Sequence, residues 1–193
     1  MTKVRFKGPI GGFSGSMDGM VFADNGERTV AYIRKERKGE KSEAELERDE
    51  NWAEARAYAN SVKASNPDLW EVYRQVGKER KVSPFALAIG DYLKPPSFRS
   101  LDLKDYKGQV GDPIQIHTVD NIGLASVEVS IDRQDGTDLE KGMAVELGAR
   151  TGFWLYTVTQ PVALGTDVFI EVVGVDHAGH RVKMTENPVV GEG

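Results

Sequence analysis

Between Pro113 and Met184 apolar residues recur at every second position. The runs PIQIHTV, ASVEVSI, MAVEL, FWLYTV, DVFIEVVGV and RVKM are rich in Val, Ile, Thr and aromatics, and turn-forming residues separate them. In ASVEVSI, Val127, Val129 and Ile131 fall on one side while Glu128 and Ser130 fall on the other; Val168, Ile170 and Val172 likewise oppose Phe169 and Glu171. Alternation broken by regular turns predicts an antiparallel β-sandwich. With FRSLDLKDY as its first strand, the sandwich has about seven strands, and NPVVGEG closes it as a tail.

Upstream the rhythm is helical. Ser42 and Glu45 form a capping box, and Trp52, Ala55, Ala59 and Val62 make a stripe at helical spacing, predicting a helix over 42–64. Asn66-Pro67 starts a second helix with Leu69, Val72, Tyr73 and Val76 on one face, ending near Gly77. Ser83-Pro84 starts a third, with Phe85, Ala88, Ile89 and Tyr92 together, and Pro95-Pro96 stops it. Before the helices comes a Gly-rich stretch in which MVFA, Asp24-Asn25-Gly26 and RTVAYI read as a β-hairpin. Gly11, Gly12, Gly15 and Gly19 mark bends or close backbone approach. The expected architecture is an α+β unit over 1–95, a hairpin plus three helices, followed by an all-β immunoglobulin-like sandwich over 96–193.

Composition is ordinary for a folded chain: 193 residues, 39% hydrophobic, 28% charged and no cysteine. Disulfides and thiolate metal sites are thereby excluded. No apolar run is long enough to span a bilayer, and the N-terminus has no apolar core of a secretory signal, so cytoplasmic synthesis is expected, with assembly into a particle or later release left open. The net charge of −5 is uneven: residues 96–193 hold 8 Lys/Arg against 15 Asp/Glu, whereas residues 1–95 hold 17 against 15. Arg28, Arg34, Lys35, Arg37, Lys38 and Lys41 form a basic run that a phosphate or acidic surface would meet, although a solvated connector explains it as well.

Candidate chemistry is sparse. Asp176, His177 and His180 in DHAGH lack zinc-motif spacing and read as a tight turn. Asp112, Asp120, Asp132, Asp135 and Asp138 match no linear calcium loop and read as solvated turns. There is no G-x-S-x-G, and GPIGGFSG lacks the phosphate-loop spacing and its Lys-Ser/Thr ending. Trp70, Tyr73, Arg74, Lys78, Arg80 and Lys81 interleave aromatic and basic residues, but core packing of the second helix accounts for the aromatics more simply than nucleic acid does. No enzyme activity, cofactor or metal site is expected.

Two resemblances add to this. With Trp154 and Tyr156 in a W-x-Y-T strand and Asp176 and Gly179 in a D-x-x-G turn, the C-terminal half resembles bacterial immunoglobulin-like or fibronectin-type modules. Such modules imply spacing, adhesion or assembly without catalytic residues. The full order, from K-G-x-I-G-x-F-S-G-S through SPFALAIGDYLKPP to the module, resembles a group of uncharacterised bacterial proteins, and its opening is similar to small proteins found with phage-like structural genes. The resulting expectation is a non-catalytic structural protein that self-associates or serves a larger phage-like, filament or surface assembly. Its partner would be protein, met through Ile10, Phe13, Met20, Phe22, Arg34, Lys35, Arg37 and Lys38. The alternative is a monomeric carbohydrate- or surface-binding module using Trp154 or Tyr156 if they face outward, with nucleic-acid binding through the helical unit third.

Overall fold

Capping residues set the helix boundaries. A computed structural model describes residues 5–6, 13–17, 19–24, 29–33 and 39–191. Helix α1 (Glu43–Ser65) follows Ser42, whose backbone N–H and hydroxyl both donate to the Glu45 carboxylate at 3.0 Å. Helix α2 (Pro67–Arg80) is capped by Asn66, whose Oδ1 accepts from the Leu69 N–H at 3.1 Å. It runs one turn past the predicted end. Gly77 continues the helix, and a Cβ there would lie 2.6 Å from the Val82 carbonyl, so glycine serves close packing at this position rather than termination. Helix α3 (Pro84–Leu93) starts at Ser83, whose Oγ accepts from the Ala86 N–H at 3.1 Å.

Ala55, Ala59, Val62, Tyr73, Val76, Leu87, Ala88 and Ile89 form the helical core, joined by Ile122 from a downstream turn. Trp52 does not belong to it. The expected α1 stripe begins only at Ala55, and Trp52 lies exposed with the Arg56 guanidinium 5.9 Å from its ring.

Twelve strands are present among the described residues, in three antiparallel sheets. The N-terminal sheet has the order β1-β2-β3-β4, from β1 (Arg5–Phe6), β2 (Phe13–Met17), β3 (Met20–Asp24) and β4 (Thr29–Ile33). The hairpin expected between MVFA and RTVAYI is its β3–β4 pair. The Gly-rich stretch before it, expected to bend, also supplies strand β2.

The other sheets come from β5 (Ser97–Asp102), β6 (Pro113–Val119), β7 (Leu124–Arg133), β8 (Asp138–Met143), β9 (Val145–Glu146), β10 (Phe153–Thr157), β11 (Val168–Asp176) and β12 (Arg181–Glu186). Their orders are β5-β6-β10-β9 and β12-β11-β7-β8. One apolar cluster draws on both: Ile114 and Ile116 of β6 and Trp154 and Tyr156 of β10 meet Val127, Val129 and Ile131 of β7 and Val168, Ile170 and Val172 of β11. The alternation read from the sequence sends these residues inward.

MAVEL is not one strand. The chain leaves β8 in one sheet, passes Ala144 and enters β9 in the other. Ala144 still donates its N–H to the Val127 carbonyl at 2.8 Å, while Leu147 already donates to Phe153 at 2.7 Å. At Gly142 a Cβ would stand 2.9 Å from the Tyr156 ring, which keeps that position bare.

Compact units divide the chain into Met1–Glu45 and Leu46–Gly193, so the helices and the last two sheets share one unit across Pro95-Pro96. Among the described residues no helix is long and apolar enough to cross a membrane.

Candidate functional site

Two places carry the unusual chemistry: the N-terminal sheet, and a polar junction where the helices meet the turn between β11 and β12.

In the N-terminal sheet, Met20 stands opposite Ile33 and Phe22 opposite Ala31, whereas Val21 stands opposite Tyr32. Directly opposed residues of an antiparallel pair share a face, so Met20, Phe22, Ala31 and Ile33 form one apolar set. The register continues this set through positions Gly15 and Met17, and it pairs Phe13 with Phe6. Ile33 is 72% exposed and Met20 40%, while Phe22 is half-buried. Among the described residues neither apolar cluster includes a member of this sheet. Of the positions expected to make contacts, Met20 and Phe22 share this face and Phe13 lies in β2; Ile10, Arg34, Lys35, Arg37 and Lys38 fall outside the described residues.

At the polar junction, the Tyr73 hydroxyl donates to Asp91 Oδ2 at 2.6 Å and lies 2.9 Å from the Tyr58 hydroxyl, which in turn donates to the His177 carbonyl at 3.1 Å. Tyr92 packs against Tyr58 and the His180 ring and donates to Glu54 at 3.1 Å. Asp176 holds the turn together: Oδ1 accepts from the His180 N–H and Oδ2 meets His180 Nδ1, each at 2.7 Å. The DHAGH segment is therefore the expected tight turn, with Gly179 at φ 92°. Asp91 is fully buried and its Oδ1 has no partner. Burial pushes its carboxyl up to about 7, against the pull of the Tyr73 hydrogen bond, with Asp120 and Asp176 adding to the rise. Burial also raises the Tyr73 and Tyr58 hydroxyls and depresses His177.

Asp91 is legible in the sequence only as a carboxylate three residues beyond Ala88 on an apolar helix, a signal that it must find a partner. Among the described residues no three His, Asp or Glu side chains converge as metal ligands. Several acidic residues cap turns instead. Asp112 Oδ2 accepts from the N–H groups of Lys107 and Gln109, Asp120 Oδ2 from those of Ile122 and Gly123, and Asp135 Oδ1 from that of Thr137.

Beside the junction, Arg80 and Arg150 border a cleft of about 210 Å³. Both are engaged, Arg80 with the Asn121 carbonyl at 2.8 Å and Arg150 with both oxygens of Glu79 at 2.9 Å. Arg74 pairs with Glu71 and Tyr73 is buried, so of the aromatic and basic residues weighed for nucleic acid, Tyr73 belongs to the core and Arg74 and Arg80 are held by neighbours in the chain. Trp154 and Tyr156, the aromatics named for ligand binding, are core residues. No family model, curated protein or solved structure matches this chain.

Proposed function

We propose that this chain is a non-catalytic structural protein that self-associates and works as a subunit or accessory of a larger assembly. The observation that carries the reading is the apolar face of the N-terminal sheet, where Met20, Ala31 and Ile33 stand exposed around Phe22. Water penalises apolar surface at roughly 25 cal/mol per Å², and exposed apolar faces with open edge strands mark sites that other chains cover. The first half of α1 adds to this, since Leu46 and Trp52 are exposed there too.

The C-terminal sheets support a role in spacing or assembly. Lettered in chain order, β5-β6-β10-β9 and β12-β11-β7-β8 correspond to the A-B-E-D and G-F-C-C′ orders of immunoglobulin-type sheets. This chain departs from antibody domains in having no cysteine pair and in carrying its core tryptophan on the sixth strand of eight rather than the third. The reading of 96–193 as an immunoglobulin-like module therefore rests on strand order.

Sedimentation of the full chain across micromolar concentrations tests the function. Association that grows with concentration is expected, and Ile33→Asp should leave a monomer of unchanged melting temperature. A full chain that stays monomeric throughout would overturn the reading.

A further inference from the structure

Four oxygen atoms form an unbroken line through the polar junction. Asp91 Oδ2 of α3 lies 2.6 Å from the Tyr73 hydroxyl of α2, which lies 2.9 Å from the Tyr58 hydroxyl of α1. The Tyr58 hydroxyl lies 3.1 Å from the His177 carbonyl in the turn between β11 and β12. Each helix supplies one link. Both ends of the line can only accept while Asp91 is ionised, because neither a carboxylate nor a backbone carbonyl has a proton to give. The two hydroxyls between them carry one proton each. Three contacts then share two protons, and one of the three sets lone pair against lone pair. When Tyr73 donates to Asp91 and Tyr58 donates to His177, that contact is the one between the tyrosines. A proton on Asp91 Oδ2 removes the shortfall: Asp91 donates to Tyr73, Tyr73 to Tyr58, and Tyr58 to the His177 carbonyl.

The surroundings favour the same form. Asp91 is fully buried, and Asp120, from the turn after β6, and Asp176, at the end of β11, add negative charge around it. His180 pulls the other way but is itself bonded to Asp176. Burial raises the Tyr58 and Tyr73 hydroxyls, so neither gives up a proton in place of Asp91. Burial also depresses the His177 ring, with Asp120, Asp176 and Glu146 opposing, and Tyr92 donates away to Glu54. We infer that this line is a proton-operated clamp: with Asp91 protonated it fastens all three helices to the β11–β12 turn, and loss of the proton lets the turn go. The clamp lies within the larger unit and does not depend on self-association. Because the folded carboxyl is raised from 3.8 to about 7, the clamp is tightest below about pH 4, loosens as the pH rises and levels off above about pH 7.

The test follows the full chain by hydrogen exchange at the Gly179 and His180 N–H groups, both bonded to Asp176. After correction for the intrinsic exchange of an unstructured peptide, their opening should grow by on the order of tenfold or more between pH 5 and pH 7, then level off. Low denaturant should not change it, because only the turn opens. Opening that climbs with denaturant as that of β7 does would be global unfolding and would overturn the inference. In Asp91→Asn the side-chain amide can donate to Tyr73 at every pH, so the turn should stay shut and the slope vanish. A slope that survives this change belongs to His177 or His180 and sinks the clamp. Tyr58→Phe cuts the line before the turn and should leave the turn open already at pH 5; a turn still shut there counts equally against the clamp. If Asp91→Asn does not fold, the Asp91 carboxyl carbon resonance of the unaltered chain reads the proton directly: a midpoint near 7 is expected, and one near 3.8 overturns the inference.

Discussion

The N-terminal sheet and the paired C-terminal sheets are made of similar residues with opposite fates. Ile33 in β4 is 72% exposed, while Ile131 in β7 and Ile170 in β11 are sealed completely. Both regions use antiparallel ladders and β-branched or aromatic side chains, so strand propensity does not separate them. A second layer does. The inner faces of β6 and β10 meet those of β7 and β11 in one cluster, whereas Met20, Ala31 and Ile33 of the N-terminal sheet stand exposed. A single sheet can satisfy its backbone and still leave apolar residues in water.

The comparison breaks most visibly in the core. Ile131→Ala should cost roughly 2–5 kcal/mol in chemical denaturation, because it leaves a cavity between packed layers. A loss below about 1 kcal/mol would mean that the two sheets are not tightly packed.

The next effect belongs to Asp91, on the helical side of the larger unit. Its folded pKa is raised, from 3.8 to about 7, so the folded chain holds a proton that the unfolded chain has released. Its contribution is therefore greatest below about pH 4, falls as the pH rises, and levels off above about pH 7. Asp91→Asn should flatten that slope and make the chain more stable than the unaltered one at pH 8, by on the order of 2 kcal/mol. Melting curves at pH 4, 6 and 8 check this, and a variant with the same slope as the unaltered chain would relieve Asp91 of the role. Hydrogen exchange in β3 and β4 should show none of that slope, which sharpens the contrast between the regions.

The smallest effect is expected at Ile33. In dilute monomer Ile33→Ala should shift stability by no more than about 0.5 kcal/mol. Destabilisation on the scale of Ile131→Ala would show that the N-terminal face is already covered within its own chain.

Much of this fold was legible in the sequence, because local chemistry dictates it. Asn66-Pro67 and Ser83-Pro84 announce helix starts, and their side chains make the expected caps. The alternation of ASVEVSI and DVFIEVVGV placed the inward residues correctly. What escaped depends on distant neighbours. DLEKGM does not look like a strand, since Glu140 is charged and Gly142 has no side chain. Yet Glu140 is buried because its Oε2 accepts from the Thr159 N–H and hydroxyl and from the Gln160 N–H. Trp52 sits at the right spacing for a core stripe, but the helical core starts only at Ala55. In FWLYTV only Thr157 and the Tyr156 hydroxyl are polar, so alternation cannot tell which side faces water. That is why the exposure of Phe153 is not legible from its run.

The passage through Ala144 also bears on how the molecule comes apart. β8 and β9 are the outer strands of two different sheets, tied by a single residue. An edge strand normally frays alone, since only one neighbour holds it. Here, a pull that peels β9 from β10 is transmitted within one peptide to β8, where Glu140 is anchored by three hydrogen bonds from the segment after β10. The two edges should open as one event, so amide protons on both sides of Ala144 should exchange at a common rate although they belong to separate ladders. Under tension, that shared latch would hold until both sheets yield together.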